Sequence, residues 1–249
     1  MIVQNRRIII KLGSNILTNG GEEINKHLIG RLCDQVSDLS IYNNQVAIVS
    51  SGAVASDPKT HRSRGLRAAV GQPNIFDQYR RNLNGHGLEV AQFLINDLQV
   101  QEGKSEYTKN LLLEALSERV VPIINGHDTA DDHATKMLSI SADNDTLACV
   151  VAKLINATDI VIVIDKAGLL DLLGVVVHEA NLGLVTELMM MARGGSTHGH
   201  GDNGMSVKLK NMFEATRYGI RAIMVPGNEE HFILRALSDE KNFGTLFTK

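Results

Sequence analysis

Short, continuously apolar runs recur along the chain: Arg7 to Leu12 (RIIIKL), Gln45 to Ser50 (QVAIVS), Val120 to Asn125 (VVPIIN), Asp159 to Asp165 (DIVIVID) and Arg221 to Pro226 (RAIMVP). Runs of this length without polar alternation suit strands covered on both faces, and they predict a parallel sheet. Between them, apolar positions at helical spacing predict helices over Lys26 to Leu39, Arg67 to Asn84, Lys109 to Glu118, Asn144 to Asn156 and Ser206 to Tyr218. Strand followed by helix, repeated, is the pattern of right-handed βαβ units in an open α/β sandwich. No internal repeat, low-complexity tract or Pro/Gly/Ser linker divides the 249 residues, so one compact α/β domain is expected.

Ligands of such sheets bind at the carboxyl ends of the strands. Those positions are rich here: Lys11-Leu12-Gly13-Ser14-Asn15, Ser50-Ser51-Gly52-Ala53, Asn125-Gly126-His127-Asp128 and Asp165-Lys166-Ala167-Gly168. Gly13 and Gly52 are either simple strand-to-helix turns or places where backbone N–H groups approach phosphate oxygens. Lys11 ends a buried strand, where an ammonium needs an anionic partner to offset desolvation. Lys208 follows a glycine-containing stretch, Gly201 to Val207, that runs into a helix and forms a second candidate anion cradle. Two such lysines suit a transferring phosphoryl group, although no Walker A loop is present. Ser141-Ala142-Asp143-Asn144-Asp145-Thr146 opens a helix, with Asp143 or Asn144 as its cap or, in a functional reading, with Asp145 orienting the lysines and Asp143 and Asn144 meeting a substrate or metal.

Composition narrows the options. The chain has 43% hydrophobic and 21% charged residues, enough for a full core, but only 4% aromatic residues and no Trp. With 25 Lys+Arg against 28 Asp+Glu the net charge is −3, which lacks the basic excess and stacking surfaces of nucleic-acid binding. Cys33 and Cys149 are too few for a disulfide scaffold or zinc knuckle, and no apolar run approaches a membrane span, so a reduced, cytoplasmic setting is expected. His198 and His200 lack further ligands at diagnostic spacing, and His86, His127 and His133 lack a recognisable catalytic partner, so no histidine metal site is expected. A serine hydrolase is a weak rival, since Ser50-Ser51-Gly52 lacks the G-x-S-x-G elbow.

In order along the chain, K-L-G-S at Lys11, V-S-S-G-A-V-A at Val49, A-A-V-G-Q at Ala68, V-P-I-I-N at Val121, D-N-D-T-L at Asp143, G-M-S-V-K-L at Gly204 and G-T-L-F at Gly244 resemble the glutamate 5-kinase branch of the amino acid kinase family. The resemblance implies a three-layer α/β/α sandwich with a mainly parallel sheet. Its N-terminal part would bind the acceptor and its C-terminal part the nucleotide. It implies transfer of the ATP γ-phosphoryl group to the γ-carboxylate of glutamate, the first step of proline synthesis, with Mg²⁺ held mainly by the ATP phosphates. By position, Lys11, Lys208 and Asp145 would be catalytic, and Ser51, Gly52, Asn125, Asp128, Asp143 and Asn144 would bind substrate. Lys11, Gly13, Asp165, Lys166, Gly204, Met205 and Lys208 would meet the nucleotide or its phosphates. A homo-oligomer, dimer or tetramer, is also implied, without the C-terminal PUA domain of bacterial members.

The chain departs from that pattern in several places. Ile164-Asp165 stands where the family usually has Thr-Asp, Leu169 to Gly174 (LLDLLG) replaces a longer Asp-Pro segment, and Gly201 to Met205 (GDNGM) replaces G-T-G-G-M. On the acceptor side, Asn125-Gly126-His127-Asp128 replaces N-E-N-D and Tyr107-Thr108-Lys109 replaces N-A-R. These differences leave two alternatives open: a kinase for another small carboxylate or phosphate acceptor, and a weakly catalytic homologue that binds an amino acid or nucleotide for regulation.

Overall fold

The computed structural model describes residues 3–18, 23–101, 103–129, 143–195, 202–238 and 240–249, without the side chains of 189–195 and 202–204. Its first half runs β1 (Arg7–Leu12), α1 (Ser14–Thr18), α2 (Lys26–Ile41), β2 (Gln45–Ser50), α3 (Arg64–Gly85), β3 (Val90–Ile95), α4 (Asp97–Val100), α5 (Glu106–Ser117) and β4 (Val121–Gly126). The second half runs α6 (Asn144–Leu154), β5 (Asp159–Ile164), β6 (Leu169–Leu170), β7 (Val176–Val177), β8 (Glu179–Ala180), α7 (Leu182–Gly195), α8 (Asp202–Arg217), β9 (Arg221–Pro226), α9 (Phe232–Leu237) and β10 (Thr245–Phe247). The loop with His198 and His200, and His133, lie outside the described residues.

All five apolar runs are strands of one eight-stranded sheet, ordered β3-β4-β2-β1-β5-β9-β10-β8. Side chains alternate across it because strand periodicity is two. In β1, Ile8, Ile10 and Leu12 join a core with Leu28, Leu32, Ile75, Tyr79 and Phe232 from α2, α3 and α9. Ile9 faces the opposite core, built with Leu112, Leu147, Val151, Met212 and Phe213 from α5, α6 and α8. Two helical layers therefore cover a mostly parallel sheet, as the apolar runs require.

The sheet is mainly parallel, as expected, and departs from parallel pairing at one junction: β10 runs antiparallel to β9, with Thr245 opposite Met224 and Phe247 opposite Ala222. A parallel return needs a crossover that carries the chain back along a strand of roughly 20 Å. Helix α9 has 6 residues and supplies only about 9 Å, so the chain pairs from the near end instead. Helix α3 also starts earlier than expected, at Arg64, where the Ser63 hydroxyl caps Leu66 N–H at 3.3 Å. Away from the strand carboxyl ends, the buried Asp159 carboxylate joins Arg6 and Arg221, at 3.3 and 3.5 Å, and fastens the starts of β5 and β9 to the residue before β1. Cys33 and Cys149 are buried free thiols, and burial pushes them up to about 12 and about 11. Among the described residues no helix is long and apolar enough to cross a membrane.

Candidate active site

The carboxyl ends of β2, β1 and β5 open into a cleft of about 730 Å³. Strand alternation turns Lys11 to the face of Ile9, toward α6, although almost every neighbour on that face is apolar. Lys11 is 3% exposed, and burial lowers its pKa against the opposing pull of the Asp145 carboxylate. Asp145 lies in the first turn of α6, where a carboxylate also favours the helix dipole. One of its oxygens is ion-paired with Lys11 Nζ, and Lys208 Nζ reaches the other at 2.9 Å. Lys208 comes from α8, which packs against α6, and its side chain is 23% exposed toward the cleft. A single buried carboxylate thus holds two ammonium groups from different elements.

Helix α6 begins where Asp143 caps it. Its carboxylate accepts from the N–H groups of Asp145 and Thr146 at 3.3 and 3.0 Å and from the Thr146 hydroxyl at 2.7 Å. That is the capping role the sequence allowed, and Asp143 still borders the cleft. The adjacent Asn144 donates from its amide nitrogen to Ser51 Oγ at 2.8 Å and to Asn125 Oδ1 at 3.1 Å. Asn125 in turn donates to Gln72 Oε1 at 2.8 Å, so an amide chain links α6, β4 and α3. Asn144 Oδ1 is buried and has no hydrogen-bond partner among the described residues, which leaves an acceptor for a ligand donor.

The wall beside this chain is closely stitched. Gly52 sits at φ +99°, a conformation a side chain resists, and turns the chain after β2. A Cβ on Gly71 would lie 1.8 Å from the Ala53 carbonyl oxygen, so only glycine lets α3 pack on this segment. Asn74 donates to the Ser56 carbonyl at 3.1 Å, and Arg67 donates to the Asp57 carbonyl at 3.1 and 3.3 Å. The Tyr79 hydroxyl meets Ser50 Oγ at 2.8 Å, tying α3 to the end of β2.

The opposite wall is looser. Ile164 is buried while Asp165 is exposed at the end of β5. The LLDLLG stretch forms the turn of the β6–β7 hairpin, where Asp171 accepts from the N–H groups of Leu173 and Val175 at 2.9 and 2.8 Å, and Leu173 is 88% exposed.

Of the residues singled out in the sequence, Lys11, Gly13, Ser51, Gly52, Asn125, Asp128, Asp143, Asn144, Asp145, Asp165, Met205 and Lys208 line the cleft. Lys166 does not. Lys166 is exposed beyond the strand end. Helix α8 starts at Asp202, not after Met205, so Gly204 lies in its first turn while Met205 and Lys208, three apart, share the face toward the cleft. The polar lining residues that were not anticipated as site residues are Ser14, Asn15, Thr18, Arg64 and Arg67. Gln72, joined to the site through Asn125, was also passed over although it closes the A-A-V-G-Q motif. Ser14 and Asn15 stand beside Lys11-Leu12-Gly13, and the two arginines follow a Ser63 cap signal. Among the described residues, the cleft lining carries four basic and four acidic side chains.

This arrangement, two lysines converging on one carboxylate at strand ends of a three-layer sandwich, defines a phosphoryl-transfer class of protein. The chain belongs to the amino acid kinase family, whose sequence model matches residues 6–226. Within it, the chain is 34% identical to the glutamate 5-kinase of Methylibium petroleiphilum, a match covering 97% of this chain and 67% of that protein. It is 32% identical to the glutamate 5-kinase of Trichlorobacter lovleyi, covering 99% of this chain and 68% of that protein. The chain therefore spans about two thirds of the length of these relatives. Among solved structures, N-acetylglutamate synthase from Neisseria gonorrhoeae superposes with a TM-score of 0.72 at 13% identity, over 99% of this chain and 62% of that one. T. acidophilum isopentenyl phosphate kinase superposes with a TM-score of 0.66 at 14% identity, over 97% and 99%. These two likenesses establish the fold alone.

Proposed function

We propose that this protein transfers the γ-phosphoryl group of ATP to the γ-carboxylate of L-glutamate, giving γ-glutamyl phosphate for proline synthesis. The Lys11–Asp145–Lys208 cluster carries the reading. A γ-carboxylate oxygen attacks the γ-phosphorus, a P–O bond to the new acyl phosphate forms, the β–γ bridging P–O bond breaks, and ADP leaves. The acceptor is already ionised near neutral pH, so no general base is needed. The main requirement is to hold two anions together and neutralise charge on the transferring group. Lys11 and Lys208 supply that charge, and Asp145 fixes where it sits. Gly13 borders the same spot: a Cβ there would lie 3.3 Å from Lys11 Nζ.

Sheet order separates the two substrates. β4 and β2 lie on one side of β1 and carry Asn125, Ser51 and Gly52, which receive the acceptor together with Asp128, Asp143 and Asn144. The unpartnered Asn144 oxygen suits the glutamate ammonium. β5 and α8 lie on the other side and carry Asp165 and Met205, which border the nucleotide. Among the described residues no three His, Cys, Asp or Glu side chains cluster as metal ligands. Mg²⁺ would be held mainly by the ATP phosphates, where it would add positive charge to the transferring group. The reading includes a cytoplasmic setting and assembly as a homodimer or homotetramer.

Fold alone would not select this reaction, because the same sandwich occurs in an N-acetylglutamate synthase. The test is ATP turnover with glutamate and with a panel of small carboxylates and phosphate monoesters, beside Lys208→Ala. That variant keeps the Lys11–Asp145 pair and removes only the more exposed lysine. Glutamate-dependent turnover that falls about 100-fold or more in the variant is expected. Absence of any acceptor stimulation, or a variant as fast as the parent, sinks the proposal.

A further inference from the structure

The proposed reaction leaves one charge of the acceptor unanswered. Glutamate carries an α-carboxylate besides its ammonium and its reacting γ-carboxylate. Lys11 and Lys208 face the reacting end and already share Asp145, while Asp128 and Asp143 suit the ammonium and repel a carboxylate. Among the described residues, the two other cationic side chains bordering the cleft are Arg64 and Arg67.

They stand three residues apart in the first turns of α3, so they share a helix face. They also lie on the β2 side, away from Asp165 and the nucleotide wall. Arg67 is half-buried and spends Nε and Nη2 on the Asp57 carbonyl, which fixes the guanidinium and leaves its other nitrogen available. Arg64 is exposed and forms no ion pair among the described residues. Gly71, one turn further on, locks this part of α3 against Ala53, so the pair is presented from a rigid wall.

We propose that Arg64 and Arg67 form the subsite for the acceptor's second carboxylate and set the preference for an α-amino dicarboxylate over a monocarboxylate of the same length. This subsite rests on the glutamate reading above. A guanidinium binds a carboxylate through two parallel N–H donors, which an ammonium cannot reproduce. Because Arg64 is exposed, its contribution is screened and the effect is tens-fold rather than thousands-fold.

The probe is 4-aminobutanoate, which is glutamate without its α-carboxylate. Parent, Arg64→Ala and Arg64→Lys are compared with both compounds, by turnover and by direct calorimetric binding, with thermal melting as a check on folding. The expected result is a loss of about tenfold or more in the preference for glutamate over 4-aminobutanoate in Arg64→Ala, partly restored in Arg64→Lys, with the ATP KM within twofold. Equal losses for both compounds, or none, overturn the subsite and leave the glutamate reading standing. If the parent shows no glutamate turnover, the functional reading fails while the subsite is judged by binding. Glutamate heat present in the parent and lost in Arg64→Ala supports it, and no heat in the parent overturns it as well.

Discussion

The two walls of the cleft are built to different standards. On the β2–β4 side, Gln72, Asn125, Asn144 and Ser51 are linked in series, and the segment after β2 is fastened to α3 through Gly71, Arg67 and Asn74. On the β5 side, Asp165 is exposed and the neighbouring hairpin turns leucines to solvent. A partly buried amide chain is specific because each member needs its partner, and loss of one strands the others. On the proposed function, this contrast would concentrate discrimination at the acceptor and leave the nucleotide held through the charge of its phosphates.

The sharpest way to break this contrast is Gly71→Ala. Its methyl would strike the Ala53 carbonyl, so α3 must lift from the wall, with a stability loss of about 3 kcal/mol that differential scanning calorimetry would read as a melting point lower by roughly 6–12 °C. An unchanged melting point would show that the close approach is not needed. Next in size, Asn125→Ala removes the middle of the amide chain. The acceptor KM should rise about tenfold with the ATP KM little changed; a parallel rise in both would erase the division between the walls. The smallest effect is expected from Asp165→Asn, a change of no more than about threefold in ATP KM, with glutamate kinetics untouched. A larger change there would mean that the looser wall selects as strictly as the stitched one.

Much of this was legible from residue order. β1, β2 and β9 fall on their apolar runs because strands buried on both faces tolerate no polar alternation. Lys11 stood out because a charge at the end of such a run demands a partner, and Asp145 because it opens a helix beside Asp143 and Asn144 and could orient the two lysines. β3 was not anticipated: it is a sheet edge, its Gln92 is exposed and most of its other side chains are only half-buried, so its sequence VAQFLI carries no clean period. Lys166 followed from motif position, but strand-end geometry leaves it exposed outside the cleft lining. Arg64 and Arg67 could not be assigned from spacing, since only the packing of α3 on the segment after Gly52 brings them to the site.

Among the described residues, the balance of four basic and four acidic side chains around the cleft bears on how substrates arrive. A mouth with strong net positive charge would draw any polyanion from a distance, at a rate that falls steeply with ionic strength. Here the opposite charges lie within a few residues of one another, so their fields largely cancel beyond the mouth and become effective only at contact. Capture of ATP and glutamate is therefore governed by fit after collision rather than by long-range attraction. Stray phosphate and other cellular anions gain no electrostatic advantage in reaching the lysines.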